Sequence, residues 1–111
     1  MPENITGSID QREIPIFGDP LIRNIYTISK GNVLTVSWDL ERRHTPCFSY
    51  NILFNKKIAD GKYEKFEEYN VYRPEINSLD IVLYFKGEFE VEVVCNSILH
   101  TSHRLSVYKT F

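Results

Sequence analysis

The segment Glu88-Phe-Glu-Val-Glu-Val-Val-Cys95 decides the fold class. One side of this extended chain carries apolar residues and Cys95, and the other side carries three glutamates. A period of two residues is typical of a β-strand with one buried face and one solvated face. We therefore predict that this segment is a strand whose apolar face lies in the core.

The stretch Val33-Leu-Thr-Val-Ser-Trp38 alternates in the same way, and its larger apolar side chains share one face. Polar turn signals such as Asp60-Gly61 separate the extended segments of the chain from one another. The pattern predicts about seven short antiparallel strands and no helix, which is the signature of an all-β sandwich. The predicted strands are Leu21–Ile28, Val33–Trp38, Phe48–Phe54, Tyr63–Tyr72, Leu79–Phe85, Glu88–Cys95 and Arg104–Thr110.

The segment Tyr63–Tyr72 is the least regular of these, because its aromatic residues recur at a spacing of three, which also suits a helix. Pro74 follows closely, and β-branched or aromatic neighbours dominate. We therefore interpret it as one or two short edge strands.

Composition limits the classes of function that fit the chain. The 111 residues have a net charge of -2, so no overall positive field favours nucleic acid. No apolar run approaches the roughly 20 residues that span a bilayer. Residues 1–19 are predicted to form a flexible arm and an extended lead-in, and residues 20–111 a single domain.

Short motifs over residues 20–110 resemble, in order and spacing, a fibronectin type III domain. Strands A to C of that family are matched by Pro20, Leu34–Asp39, Pro46 and Tyr50–Ile52. The corner before strand F, strand F itself and strand G are matched by Leu83, Gly87, Phe89–Asn96 and Leu105–Val107. The resemblance implies a seven-stranded antiparallel β-sandwich, fibronectin type III or immunoglobulin-like. Its core is expected around Trp38, Tyr50, Ile52, Leu83, Phe89, Val91 and Val93.

No set of residues has the spacing of a known catalytic motif. The sequence has no glycine-rich phosphate loop, no Gly-x-Ser-x-Gly and no His-Glu-x-x-His. We predict that the chain is not an enzyme and needs no cofactor.

The two cysteines are predicted to be free thiols. Cys95 is in phase with the apolar face of its strand, whereas Cys47 is in phase with the polar Ser49 and Asn51. Side chains on opposite faces of a sheet cannot form a disulfide without a bulge or a loop distortion.

A basic end of the molecule is the candidate partner-binding site. In the implied fold, the B–C and F–G loops emerge at the same end and bring six basic side chains together. These residues are Arg42, Arg43, His44, His100, His103 and Arg104. The sequence favours two interpretations equally, a surface for an acidic protein partner and a solvated loop cluster.

Two further constellations have alternative interpretations. The spacing His100-Thr-Ser-His103, with Cys47 nearby, suits a zinc site. A domain with a full core has no need of structural zinc, so no metal site is predicted. The outward glutamates of Glu88–Glu92 are expected to pair with Arg104 and Lys109 on a self-neutralised sheet face, rather than to bind a basic partner.

The resemblance implies a non-catalytic protein–protein interaction module within a larger adhesion, receptor or scaffold protein. The abrupt end of the chain at Phe111 favours that interpretation. Met1 and the polar arm favour the alternative, a self-contained structural or decoration subunit of an assembly such as a viral or phage particle. The first ten residues have no apolar signal-peptide core. The location is extracellular for a receptor domain, and otherwise intracellular or in a virion.

Overall fold

The computed structural model describes residues 21–41, 47–97 and 102–111. Within these ranges the chain forms seven β-strands and no helix, which confirms the all-β prediction. They are β1 Leu21–Lys30, β2 Val33–Glu41, β3 Cys47–Ala59, β4 Lys62–Val71, β5 Ser78–Val82, β6 Glu88–Ser97 and β7 Ser102–Thr110. The predicted arm and lead-in, residues 1–19, lie outside the described residues.

The described strands form two antiparallel sheets that share one hydrophobic core. One sheet has the order β1-β2-β5, and the other has the order β4-β3-β6-β7. The alternating strands β2 and β6 each turn their apolar face toward the other sheet, because burying that face removes apolar surface from water. The arrangement is compatible with a β-sandwich.

The core contains the side chains that the alternating patterns predicted. Those with at most 1% of their surface exposed include Trp38, Tyr50, Ile52, Phe89, Val91 and Val93, whereas the predicted Leu83 is half-buried at the margin. The Trp38 and Tyr50 rings join the two sheets, with centroids 5.1 Å apart. Farther along, Phe54 lies fully buried among aromatic rings, including Phe85 at 5.4 Å.

The strand β4 is a single ten-residue edge strand with a bulge at Phe66. Along β3, Phe54 pairs with Glu67 and the next residue pairs with Lys65, so Phe66 is an extra residue. Its ring therefore reaches the core aromatics, with centroid distances of 5.3 Å to Phe85 and 5.5 Å to Phe89. The bulge accounts for the position of Phe66, and the aromatic residues at a spacing of three do not form a helical face.

The strands β6 and β7 are longer than the sequence predicted. Asn96 pairs with Ser102, and Cys95 pairs with His103. The segment Asn96–His103, which was expected to be a loop, therefore contributes residues to both strands.

Candidate partner-binding site

Four of the six predicted binding residues, Arg42, Arg43, His44 and His100, lie outside the described residues. The strand ends that border their segments nevertheless converge. The first residue of β3, Cys47, pairs with Ser97 at the end of β6, and the last residue of β2, Glu41, pairs with Leu21. We call this end of the molecule, defined by these four residues and His103, the loop pole.

A disulfide between Cys47 and Cys95 cross-links β3 and β6 at the loop pole, with the two Cα atoms 5.5 Å apart. The prediction of two free thiols is therefore wrong. The register of β3 against β6 shifts between Cys47 and Ser49, so Phe48 is an extra residue there. The shift turns Cys47 onto the buried face and leaves Phe48 49% exposed. The phase argument failed because it assumed an unbroken alternation through this bulge.

The disulfide also affects the zinc alternative. The Cys47 sulfur is bonded to Cys95, so it is not available as a thiolate ligand. Within the three described ranges, no group of three or more His, Cys, Asp or Glu side chains has metal-binding geometry.

His103 connects the two sheets instead of facing only solvent. It is half-buried, and its Nδ1 accepts a hydrogen bond of 3.1 Å from the backbone N–H of Ile22 on β1. A ring nitrogen that accepts carries no proton, so this bond belongs to the neutral ring with its proton on Nε2. The sequence could not reveal this contact, because Ile22 is distant along the chain.

Arg104 lies on the outer face of the four-stranded sheet, where its guanidinium binds Glu92 at 2.8 Å. The side chain of Glu92 is only 13% exposed, whereas that of Arg104 is 62% exposed. The predicted pairing of Arg104 with the acidic row is confirmed. Lys109 makes no such pair, because it lies in register with the buried Phe89 and so belongs to the other face.

The other two glutamates of the row bind β3. Lys57 contacts Glu88 at 3.0 Å, and the Asn55 amide donates to Glu90 at 3.0 Å. The hydrogen bond to Glu88 raises the pKa of Lys57 above its usual value. Two of the three glutamates are therefore paired with cations and the third with an amide, so the prediction of a self-neutralised face is right for Arg104 and wrong for Lys109.

Amide side chains continue this polar surface across three strands. Asn96 on β6 donates to Ser49 and to Asn51, at 3.1 and 2.8 Å. Asn51 on β3 donates in turn to Asn70 at 2.5 Å and to Glu68 at 3.3 Å on β4. The polar groups of this face therefore bind one another, which leaves fewer of them for a partner.

The outer face of the three-stranded sheet is different, because it carries exposed apolar side chains. Val33 and Val82 pair across β2 and β5 and are 39% and 59% exposed, and Ile28 on β1 is 64% exposed. This face was not among the surfaces predicted from the sequence. The signal was available, since residues between the buried positions of β2 must point outward.

Comparison with models of known protein families and with curated proteins gives no match. In the described part of the chain, no helix has the length and hydropathy to cross a membrane.

Proposed function

We propose that the chain is a non-catalytic protein-interaction module of the fibronectin type III kind, within a larger adhesion, receptor or scaffold protein. The strand order supports this family assignment. In constant-type immunoglobulin domains the fourth strand joins the sheet of the first, second and fifth strands. Here β4 pairs with β3 instead, which favours a fibronectin type III arrangement over the constant immunoglobulin one.

The observation that carries the proposal is the disulfide at the loop pole. Cys47 directly follows the segment with Arg42, Arg43 and His44, and Cys95 lies shortly before the segment with His100. A covalent link at the base of both segments restricts their ends before a partner binds. Less conformational entropy is then lost on binding. Recognition commonly resides in loops that a rigid scaffold positions.

The proposed partner is a protein with an acidic surface. The binding residues are Arg42, Arg43, His44, His100, His103 and Arg104, on a chain whose net charge is -2. His103 and Arg104 each already have an intramolecular partner. The two consecutive arginines therefore provide the sharper test of the site.

A buried disulfide also favours an oxidising compartment, because thiols are kept reduced in the cytosol. This supports an extracellular receptor or adhesion protein. The alternative, a structural or decoration subunit, is favoured by the exposed apolar residues of the three-stranded sheet, since subunit contacts bury such residues.

The test compares matched variants as baits for extracellular proteins. We expect the double charge reversal Arg42→Glu and Arg43→Glu to abolish capture of partners that the unchanged protein retains. The control reverses two charges at the opposite end, Lys30→Glu and Lys62→Glu, and should preserve capture. All three proteins should melt at the same temperature.

Salt provides a second measurement on any captured partner. Association should slow as salt increases, because exposed charges are screened beyond roughly 8 Å at physiological ionic strength. Equal capture by the unchanged protein and the arginine variant would contradict the site. Loss of capture on Glu90→Lys with Glu92→Lys, but not on the arginine changes, would place binding on the acidic sheet face.

A further inference from the structure

The two described sheets have four edge strands, and an edge strand exposes backbone N–H and C=O groups that can pair with another strand. Proteins protect such edges with short strands, charged side chains and bulges. The protection differs among these four strands. This difference indicates where a further strand can bind.

Three of the edges are protected. The strand β5 has only five residues. The strand β4 combines a bulge at Phe66 with five charged side chains, Lys62, Glu64, Lys65, Glu67 and Glu68. The strand β7 carries Arg104 and Lys109, and His103 joins its beginning to β1.

The strand β1 also has a bulge at Arg23 and a second charged residue, Lys30, but these lie toward its two ends. They leave six uncharged residues between them, against four between Arg104 and Lys109 of β7. No charged side chain lies between Asn24 and Ser29, and the residues there include isoleucine, tyrosine and threonine, which favour strands. In the described ranges, the backbone hydrogen bond from β1 away from β2 is that of Ile22 to His103. Tyr26 and Ile28 are 45% and 64% exposed on the outer face.

We propose that the edge of β1 pairs with β1 of a second copy of this chain, antiparallel and centred on Thr27. This inference does not depend on the partner-binding role of the loop pole. In this register Tyr26 lies opposite Ile28 of the second copy, an aromatic and β-branched pair of the kind that stabilises antiparallel strands. The exposed apolar side chains of the two outer faces, which also carry the Thr35–Asp80 and Tyr26–Asp39 hydrogen bonds, then lie on one continuous surface.

Charge is compatible with this self-pairing. Lys30 is the charged residue of the pairing segment, and in the proposed register it lies opposite Asn24 of the second copy. The two lysines are then about 20 Å apart at roughly 3.4 Å per residue, well beyond the screening length of roughly 8 Å. The pairing joins the two three-stranded sheets into one six-stranded sheet. Such a small interface predicts a weak, reversible dimer.

The test measures oligomeric state by sedimentation equilibrium across protein concentrations up to the millimolar range. The unchanged protein should dimerise with increasing concentration, and Ile28→Lys, which places a charge on the edge strand, should remain monomeric. The control is Val82→Lys, an equally exposed residue on the same face but on the opposite edge strand, which should dimerise normally. Circular dichroism checks that both variants fold.

Amide hydrogen exchange on the unchanged protein locates the contact without any substitution. Amides of residues 24–30 that exchange quickly in dilute solution should become protected as the dimer forms. A monomer at every concentration, a dimer that survives Ile28→Lys, or a dimer that Val82→Lys also abolishes would each overturn the proposal. So would edge amides that are already protected in the monomer, since another segment of the same chain would then occupy the edge.

Discussion

Reduction of the Cys47–Cys95 disulfide should lower the free energy of unfolding by about 4 kcal/mol. The two residues are separated by 48 positions. Closing a loop of that size removes roughly 14 cal/mol/K of entropy from the unfolded chain, or about 4 kcal/mol at 25 °C. A domain of this size has a total stability of about 5–15 kcal/mol. The disulfide therefore contributes a large share of it.

The native state should change little on reduction. Both sulfurs are in the core, where Cys47 and Cys95 are 1% and 0% exposed, and reduction adds two hydrogen atoms and requires the sulfurs to move apart only to van der Waals contact. The pairing of β3 with β6 continues along the strands to Lys56 and Phe89. The main effect of reduction should therefore be on the unfolded chain, which becomes free to expand.

The assay is urea unfolding of the oxidised and the reduced protein, followed by the fluorescence of Trp38. The reduced protein should unfold at a lower urea concentration and with a steeper dependence on urea, because its unfolded chain exposes more surface. The control is the double variant Cys47→Ala and Cys95→Ala, whose midpoint should not respond to reductant. Equal midpoints for the oxidised and the reduced protein, or thiols that react without denaturant before any reduction, would refute the reasoning.

Two further predictions concern side chains outside the loop pole. Trp38 is fully buried, so Trp38→Ala should lower the free energy of unfolding by about 3–5 kcal/mol, measured by chemical unfolding. The control is Tyr72→Ala at an exposed position, which should stay within about 0.5 kcal/mol of the unchanged protein. The native fluorescence emission of Trp38 should be blue-shifted, and an emission maximum typical of exposed tryptophan would contradict the core assignment. The hydrogen bond that Tyr84 donates to Glu67 raises the pKa of Tyr84 to about 12, so its stabilisation is complete below about pH 10, the pKa of a free tyrosine, and is lost as the pH rises through 12. Ultraviolet titration should show the late phase disappear in Tyr84→Phe and move toward pH 10 in Glu67→Gln.

The sequence predicted the regular parts of the fold and missed its irregularities. The strands β2 and β6 alternate regularly from Leu34 to Trp38 and from Phe89 to Val93, so their buried faces could be read directly, and Trp38 and Phe89 lie where the pattern placed them. In β3 one extra residue, Phe48, reverses the phase of Cys47. A bulge depends on the partner strand as well as on local residue types, so the local pattern alone does not reveal it.

The candidate site could be predicted only in part, for the same reason. The pairing of Arg104 with Glu92 follows from alternation on two neighbouring strands and was predicted. The contact between His103 and Ile22 joins different sheets and depends on how those sheets pack, which no local pattern encodes. That Ile28 lies on an edge strand was equally hidden, because an edge is defined by the order of strands in the sheet.

The role of His103 can be separated from partner binding by two substitutions. His103→Ala removes the acceptor for the Ile22 N–H, and Ile22 is only 3% exposed, so the free energy of unfolding should fall by about 1–3 kcal/mol. His103→Asn places an amide oxygen near the position of Nδ1 and should recover much of that loss. A solvated loop histidine would instead change stability by less than about 0.5 kcal/mol in either variant.

The comparison also decides what His103 contributes to the proposed surface. Once a partner is identified, unchanged stability and affinity in His103→Asn would show that His103 only holds β7 against β1. His103→Asn that keeps stability but loses affinity would place the imidazole in the contact itself. Because protonation of Nδ1 would remove the hydrogen bond from Ile22, a partner that binds the charged ring must also compensate for that loss. We therefore expect Arg42 and Arg43, and not His103, to dominate the affinity. Affinities of the arginine and histidine variants, measured in parallel, would contradict this if the His103 substitution lowered the affinity more than the arginine substitutions.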